Sequence, residues 1–423
     1  MNAFIQRLTL LLADSSLRNR LLFVFGALAV FRVLAAIPIP GVNAAQLQLF
    51  FSNNQFFGLL NLFSGGGLSS LSIVMLGVAP YITASIIMQL LTMMVPKLKQ
   101  LYQEEGEAGR QRFSQYTRML TLPIAVTQGI SFLLILEREG VLSILSPMQF
   151  LVNLLVITAG SLLLMWIGEL ISEFGLGNGV SLIIFAGIVS RLPQDISQAL
   201  FSFDASQVPL YLAFTAAAIA IIAAVVTVNE AERPVPVTYA KRVRGMKFFG
   251  GASTYLPLRL NQAGVIPIIF ALSLLLIPQM FANFFATSSN PMLASIAASI
   301  AGAFQNLALY GSIYFVFVFL FTYFYTAVTF DPNQIAENLQ KNGAFIPGVR
   351  PGGSTSEHLA RIITRITFVG ALFLAIIAVL PIFMQYVTGI STLALGGTAL
   401  LIVVSVILDL ARRIDAQISI REY

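Results

Sequence analysis

Between Val33 and Pro96 the chain carries no charged residue, so this run and any loop that interrupts it belong in or against a membrane. Within it, Asn61 to Pro96 reads NLFSGGGLSSLSIVMLGVAPYITASIIMQLLTMMVP, which is not a clean helix. Gly65, Gly66 and Gly67 weaken its start, and Gly77 and Pro80 interrupt its middle, Pro80 by removing a backbone donor and crowding the preceding turn. Hydrocarbon cannot satisfy the backbone groups that such a break frees. The segment is therefore expected to line a pore or cavity, where protein or water receives them.

The rest of the chain has the same character, 57% hydrophobic and 10% charged over 423 residues, which predicts a polytopic, all-α membrane protein. A spanning helix takes roughly 20 apolar residues. Ten candidates follow: 21–38, 71–95, 118–136, 150–170, 179–193, 209–229, 262–280, 308–328, 362–385 and 392–410. Residues 1–20 carry Arg7, Asp14 and Arg18 among apolar neighbours and lack a cleavage-site pattern, so they read as an amphipathic helix on the membrane surface.

Charge placement orients the chain. Of the 24 Lys and Arg residues, all but Arg32, Arg138 and Arg191 fall in the N-terminal segment, in 96–118, 230–259 and 331–365, or after 411. Both termini are then expected in the cytoplasm, with a cytoplasmic tail at 411–423. Without cysteine the chain has no disulfide, thiolate chemistry or cysteine metal site.

The first span ends at Pro38 and Pro40, and its Arg32 is expected to snorkel or meet a carbonyl. Residues 41–70 form a long outer segment with two readings that the sequence leaves even, a free loop, or a mobile element that re-enters beneath the broken second span, for which apolar Leu59, Leu60, Leu62 and Phe63 argue. Residues 96–118 read as a solvated cytoplasmic connector. Polar residues 194–207 divide the chain into two five-span halves, 21–195 and 196–410, and an odd number of spans per half reverses topology. Gly77-Val-Ala-Pro80-Tyr-Ile82 in the second span and Gly264-Val-Ile-Pro267-Ile-Ile269 in the seventh then occupy equivalent places of an inverted repeat.

Two cytoplasmic loops in the second half are large. Residues 230–259 combine Lys241, Arg242, Arg244, Lys247 and Arg259 with aromatic residues, and residues 331–365 present Arg350 between Pro347-Gly348 and Pro351-Gly352-Gly353. Attraction to anionic lipid explains such charge at about 1 kcal/mol per basic residue, but loops this long favour docking of a large acidic or RNA-rich partner.

Catalytic chemistry is missing from the pattern. No P-loop, HExxH or GxSxG occurs, and the single histidine, His358, lies in a polar loop without ligand-type neighbours, so neither enzyme nor cofactor is expected. The spans contain no acidic chain suited to proton relay or Na⁺ binding. What could line a pore is aliphatic: Val78 and Ile82 share a helix face, as do Val180 and Ile184, while Ile269 mirrors Ile82 and Ile402 follows Gly396-Gly397. Ordinary packing is the competing reading of such pairs; a ring of them would resist ions yet yield to a wider, deformable solute. A secondary transporter of a small solute would share the broken helices but should carry a polar or ionisable midplane site, and an intramembrane enzyme would need a nucleophile or acid pair.

These stretches also resemble the SecY/Sec61 protein-conducting channel family in its bacterial or thylakoid form. The likeness covers nearly the whole chain and is carried by RLLFVFGALAVFRVLAAIPIPG, the 61–91 run, EEGEAGRQRFSQYTR, WIGELISEFGLGNGVSLIIFAGIVSRLP, YAKRVRG, STYLPLRLNQAGVIPIIFA, FYTAVTFDPNQIAENLQKNGAFIPGVRPG and GGTALLIVVSVILDL. It implies two pseudo-symmetric halves, hinged between spans five and six, around a central hourglass pore. Val78, Ile82, Val180, Ile184, Ile269 and Ile402 fall on the family's pore ring. Asn61 to Leu71, with Phe63, Ser64, Gly65, Gly66, Gly67 and Leu68, falls on its plug. Spans two and three would face spans seven and eight across a lateral gate, where Gln89, Gln128 and Asn261 match polar positions expected to close it by interhelical hydrogen bonds. Lys241, Arg242 and Arg350 fall in loops that dock the SecA ATPase or the ribosome, and small membrane subunits similar to SecE and SecG would complete the complex. The resemblance thus implies a channel in a prokaryotic plasma or thylakoid membrane that passes signal sequences and unfolded nascent chains and releases apolar segments into lipid. One departure is NEAERPVPVTYAKR, which keeps only Arg233 ahead of the YAKR segment where the family often has several arginines.

Overall fold

A computed structural model describes residues 14–41, 61, 64–103, 105–138, 140–143, 145–191, 193, 197, 208–239, 242–244, 247–249, 253–285, 290–388 and 391–421. In chain order the helices are α1 (Ser15–Ala35), α2 (Ala79–Met94), α3 (Pro96–Gln103), α4 (Gly106–Arg138), α5 (Pro147–Phe174), α6 (Gly179–Val189) and α7 (Val208–Glu230). Strands β1 (Glu232–Tyr239), β2 (Arg242–Arg244), β3 (Lys247–Phe249) and β4 (Ser253–Arg259) follow. The chain continues through α8 (Ile266–Phe285), α9 (Pro291–Gln305), α10 (Leu307–Thr329), α11 (Pro332–Lys341), β5 (Ala344–Phe345), α12 (Gly353–Thr388) and α13 (Ser391–Arg421).

Each sequence-predicted span coincides with a helix: α1, α2, α4, α5, α6, α7, α8, α10, α12 and α13. Several boundaries move. The second span begins at Ala79, not 71, because Gly65, Gly66, Leu71 and Gly77 all take positive φ and wind residues 64–77 into turns. The connector after it is helical as well: α3 leaves α2 at an angle of 114° where Pro96 starts a new helix, and α4 begins at Gly106. From 411 the chain continues as the last turns of α13, which runs to Arg421. Residues 1–13 of the surface helix and most of the 194–207 hinge lie outside the described residues.

Length separates these helices. Among the described residues, four continuous helices are long and apolar enough to cross a membrane, and the bent α2–α3 pair makes a fifth. At 1.5 Å per residue α6 reaches only about 16 Å, about half the hydrocarbon thickness. A short helix at that place leaves room for other chain to enter the membrane beneath it.

Packing repeats between the halves. In the first, α2 packs on α4, α4 on α5, α5 on α6, and α1 on α6. In the second, α8 packs on α10, α10 on α12, α12 on α13, and α7 on α13, the same order of contacts. The halves meet where α2 and α4 touch α8, and where α6 touches α13.

The sequence reading missed two features. The first is a small sheet, order β4-β1-β5, that joins the two large loops of the second half through the pairs Thr238 with Phe345 and Tyr239 with Ala344. Val235 and Val237 alternate inward onto Leu359, Ile362, Ile363 and Ile366 of α12. Pro234 and Pro236 are tolerated because β5 covers only the far end of β1, so that among the described residues no strand pairs beside them on that edge. The second feature is α9, set between the seventh and eighth spans and capped by Asn290.

Candidate functional site

The site begins at two helix breaks. Gly77 and Gly264 turn at φ 60° and 61°, and α2 and α8 each start two residues later with proline in the first turn. The freed carbonyls are met by side chains: the Ser161 hydroxyl donates to Gly77 O at 2.9 Å, and the Asn261 amide donates to Gly264 O at 3.2 Å. Protein therefore satisfies the backbone that hydrocarbon could not.

Directly after these breaks come Val78 and Ile82 on one side and Ile269 on the other. Val78, Ile82, Ile184, Ile269 and Ile402 are all buried in one apolar cluster, and Val180 packs on it while partly exposed. They come from α2 and its N-cap, α6, α8 and α13, so both halves contribute. Val180 is the least central, since its methyl also lies beside Gly168 of α5. Sequence reasoning missed Val265, which is buried in the same cluster and occupies the place in α8 that Val78 holds in α2. The alignment that found Ile269 carried that signal too.

The sheet-side mouth above this cluster is polar. A cavity of about 250 Å³ is lined by Asn178, Asn229, Asn261, Ser405, Asp409 and Arg412, among others. Asn261 also donates to Asn229 Oδ1 at 2.7 Å, and Arg412 bonds the Asn229 carbonyl and reaches Glu230 at 3.1 Å. The end of α7, the entry to α8 and the end of α13 are tied into one polar knot.

On the opposite side lies the glycine-rich segment, which re-enters and is not a free loop. The Arg32 guanidinium donates to Gly65 O at 3.2 Å, meeting a carbonyl as its position suggested. A Cβ on Gly65 would stand 2.4 Å from the Phe31 ring, and one on Gly187 would stand 2.0 Å from Gly65 Cα. Only glycines allow this approach of α1, α6 and the segment. Asn61 and Ser64 are buried, and the Asn61 side chain accepts from Ser69 N at 2.9 Å. Leu68 and Leu71 sit in a second cluster with Phe132, Leu133 and Leu136 of α4, while Ile39 N donates to Leu71 O and Ile73 N to Ile37 O. Phe63 lies outside the described residues.

The amides expected to close a gate do not bond to one another. Gln89 on α2 donates to Ser85 of its own helix at 3.2 Å, Gln128 is buried on α4, and Asn261 is committed to Gly264 and Asn229. The helices that carry or follow them do meet, since α8 touches both α2 and α4. Arg242 lies in β2 and Arg350 in the turn before α12, where Thr355 Oγ1 donates to Arg350 O at 2.8 Å. Lys241 lies outside the described residues.

The chain matches the SecY family model over residues 72–411. It is 42% identical over 428 residues to a protein translocase subunit SecY of Mycobacterium bovis, with 96% of each chain covered. Its fold is similar to a solved protein-conducting channel at TM-score 0.63 and 18% identity, covering 93% of this chain and 90% of that one. Similar values, TM-score 0.60 and 17% identity over the same shares, relate it to Sec61 in a canine ribosome–channel complex from the endoplasmic reticulum.

Proposed function

Since the chain belongs to the SecY family, and so is a multi-pass membrane channel for proteins and not an enzyme, we propose that its aliphatic cluster is the constriction through which the polypeptide passes. The observation that carries this reading is the burial of Val78, Ile82, Ile184, Ile269 and Ile402, contributed by both halves, in one continuous apolar core that two matching helix breaks enter. Aliphatic side chains hold neither ions nor an ordered water file, so the idle cluster seals by dewetting. The same side chains have no polar atom of their own to leave unpaired when they yield around an extended chain.

The remaining parts take roles around that constriction. Residues 61–71 plug the far funnel, held by Arg32 and by the glycine contact with α6. The seam of α8 with α2 and α4 is where the halves part sideways, so that an apolar segment exchanges one apolar surround for another, the lipid. The sheet that joins 230–259 to 331–365 ties the two loops together, and to their basic residues, Lys241, Arg242 and Arg350, we assign the docking of a partner on the cytoplasmic face, with both termini on that side. The canine relative is in a complex with a ribosome, which supports a ribosome as one partner here; a SecA-type ATPase and small SecE-like and SecG-like membrane subunits are the others we assign.

The absence of cysteine offers a clean test. A single Ile402→Cys channel in vesicles is treated with a charged, membrane-impermeant thiol reagent, idle or holding a stalled secretory chain. Slow labelling when idle and a clear change when the channel is engaged are expected. Fast labelling that ignores engagement would remove Ile402 from the constriction.

A further inference from the structure

Between Arg259 and Asp331 the chain carries no charge. Helix α9 sits in the middle of this run, at the end of α8 and α10 away from the sheet, and packs on both. A connection in open water seldom lacks charge over such a length.

The surface of α9 divides into three strips. Ala294, Ala297, Ala301 and Phe304 recur at helical spacing and form the least exposed strip, with Ala297 buried and the Phe304 ring 6.4 Å from that of Tyr310 on α10. A second strip holds the bulky apolar residues Met292, Leu293, Ile296 and Ile300, all exposed, Met292 at 72%. The third holds Ser295, Ser299 and Gly302, small and exposed, and both serine hydroxyls bond back to carbonyls of their own helix. Four large aliphatic side chains on one flank and none on the other is the pattern of a helix lying at a boundary, not one crossing it.

The ends fix that attitude. Asn290 caps the start and Pro291 opens the first turn, while Asn306 ends α9 and in the same position caps α10 by accepting from Ala308 N and Leu309 N. The turn between α9 and α10 is thus one residue long, and α9 is a separate rigid rod beside the ends of two apolar helices.

We propose that α9 lies in the plane of the membrane at the face opposite the sheet, with Met292, Leu293, Ile296 and Ile300 sunk among the lipid acyl chains and Ser295 and Ser299 toward water. The neighbouring span α10 likewise exposes large apolar side chains, Leu309, Val316 and Leu320. Lipid is favoured over a protein partner because the strip is aliphatic, free of charge and without aromatic anchors.

The lone tryptophan, Trp166, makes this measurable. In a Trp166→Phe background, Ile296→Trp and Ser299→Trp channels are reconstituted with lipids brominated on their acyl chains, and each is also titrated with aqueous iodide. Ile296→Trp should show blue-shifted emission, lose most of it to brominated lipid and resist iodide, and Ser299→Trp should do the reverse. Quenching of Ile296→Trp by iodide and not by lipid would overturn the proposal. Shielding from both quenchers would instead mean that protein covers the strip, and equal lipid quenching at both positions would mean that α9 is submerged; either result also contradicts it.

Discussion

Gly77 and Gly264, 187 positions apart in the sequence, hold the same left-handed backbone at φ 60° and 61°, and each gives its carbonyl to a polar side chain, Ser161 or Asn261. The two breaks place Val78 and Val265, then Ile82 and Ile269, at matching positions of the central cluster. One local solution, used twice, builds the site.

Gly264→Ala isolates the backbone part of this arrangement. Nothing lies within 4 Å of a Cβ built there, so the cost is the left-handed conformation alone, about 1–2 kcal/mol. Thermal unfolding in detergent should show that loss without loss of assembly.

The partners of the freed carbonyls should differ in weight. Ser161→Ala strands one buried carbonyl, at about 1–3 kcal/mol. Asn261→Ala releases both Gly264 O and Asn229 Oδ1, and should lower the unfolding midpoint further than Ser161→Ala.

Two substitutions should loosen the proposed plug by different routes. Gly187→Ala places a methyl 2.0 Å from Gly65 Cα, which α6 as a helix tolerates and the plug does not. Arg32→Gln removes the bond to Gly65 O; because the Arg32 side chain is exposed, the loss is about 1 kcal/mol, or several-fold in the population of the displaced plug. Idle ion leak through reconstituted channels should rise in both, more in Gly187→Ala.

The joined loops make a third kind of prediction. Leu258→Ala opens a cavity in the cluster beneath the sheet, where Leu258 is fully buried, at a cost of about 2–5 kcal/mol. Limited proteolysis should then cut 230–259 and 331–365 together, because β1 holds both; cleavage of one loop alone would show that they are independent.

The spans and the broken helices were legible because apolar length and a Gly-x-x-Pro interruption are local signals, read without knowing what packs where. Ile269 was found by matching Gly264 to Gly77, and Val265 was missed although the same match contains it. The sheet escaped because its pairing of Thr238 with Phe345 joins strands about a hundred residues apart, and the prolines in β1 argue against a strand until the limited cover by β5 is seen. The partners of the amides depend on tertiary structure for a similar reason: the side chain of Asn261 goes to a carbonyl that is free only because Gly264 turns the chain. Helix α9, 15 residues long, is too short to register as a span, and its alanine seam gains meaning only where it meets α8 and α10.

The central claim is that a polypeptide passes through the aliphatic cluster, and a disulfide tests it most directly. A cysteine replaces Ile269 in the cysteine-free chain, a second sits midway in a secretory chain stalled in transit, and Leu155→Cys, on a face of α5 exposed at 60%, serves as control. The account predicts a strong crosslink at position 269 and none at 155. No crosslink at 269 in an assembled, engaged complex would return the cluster to ordinary packing and place the path elsewhere.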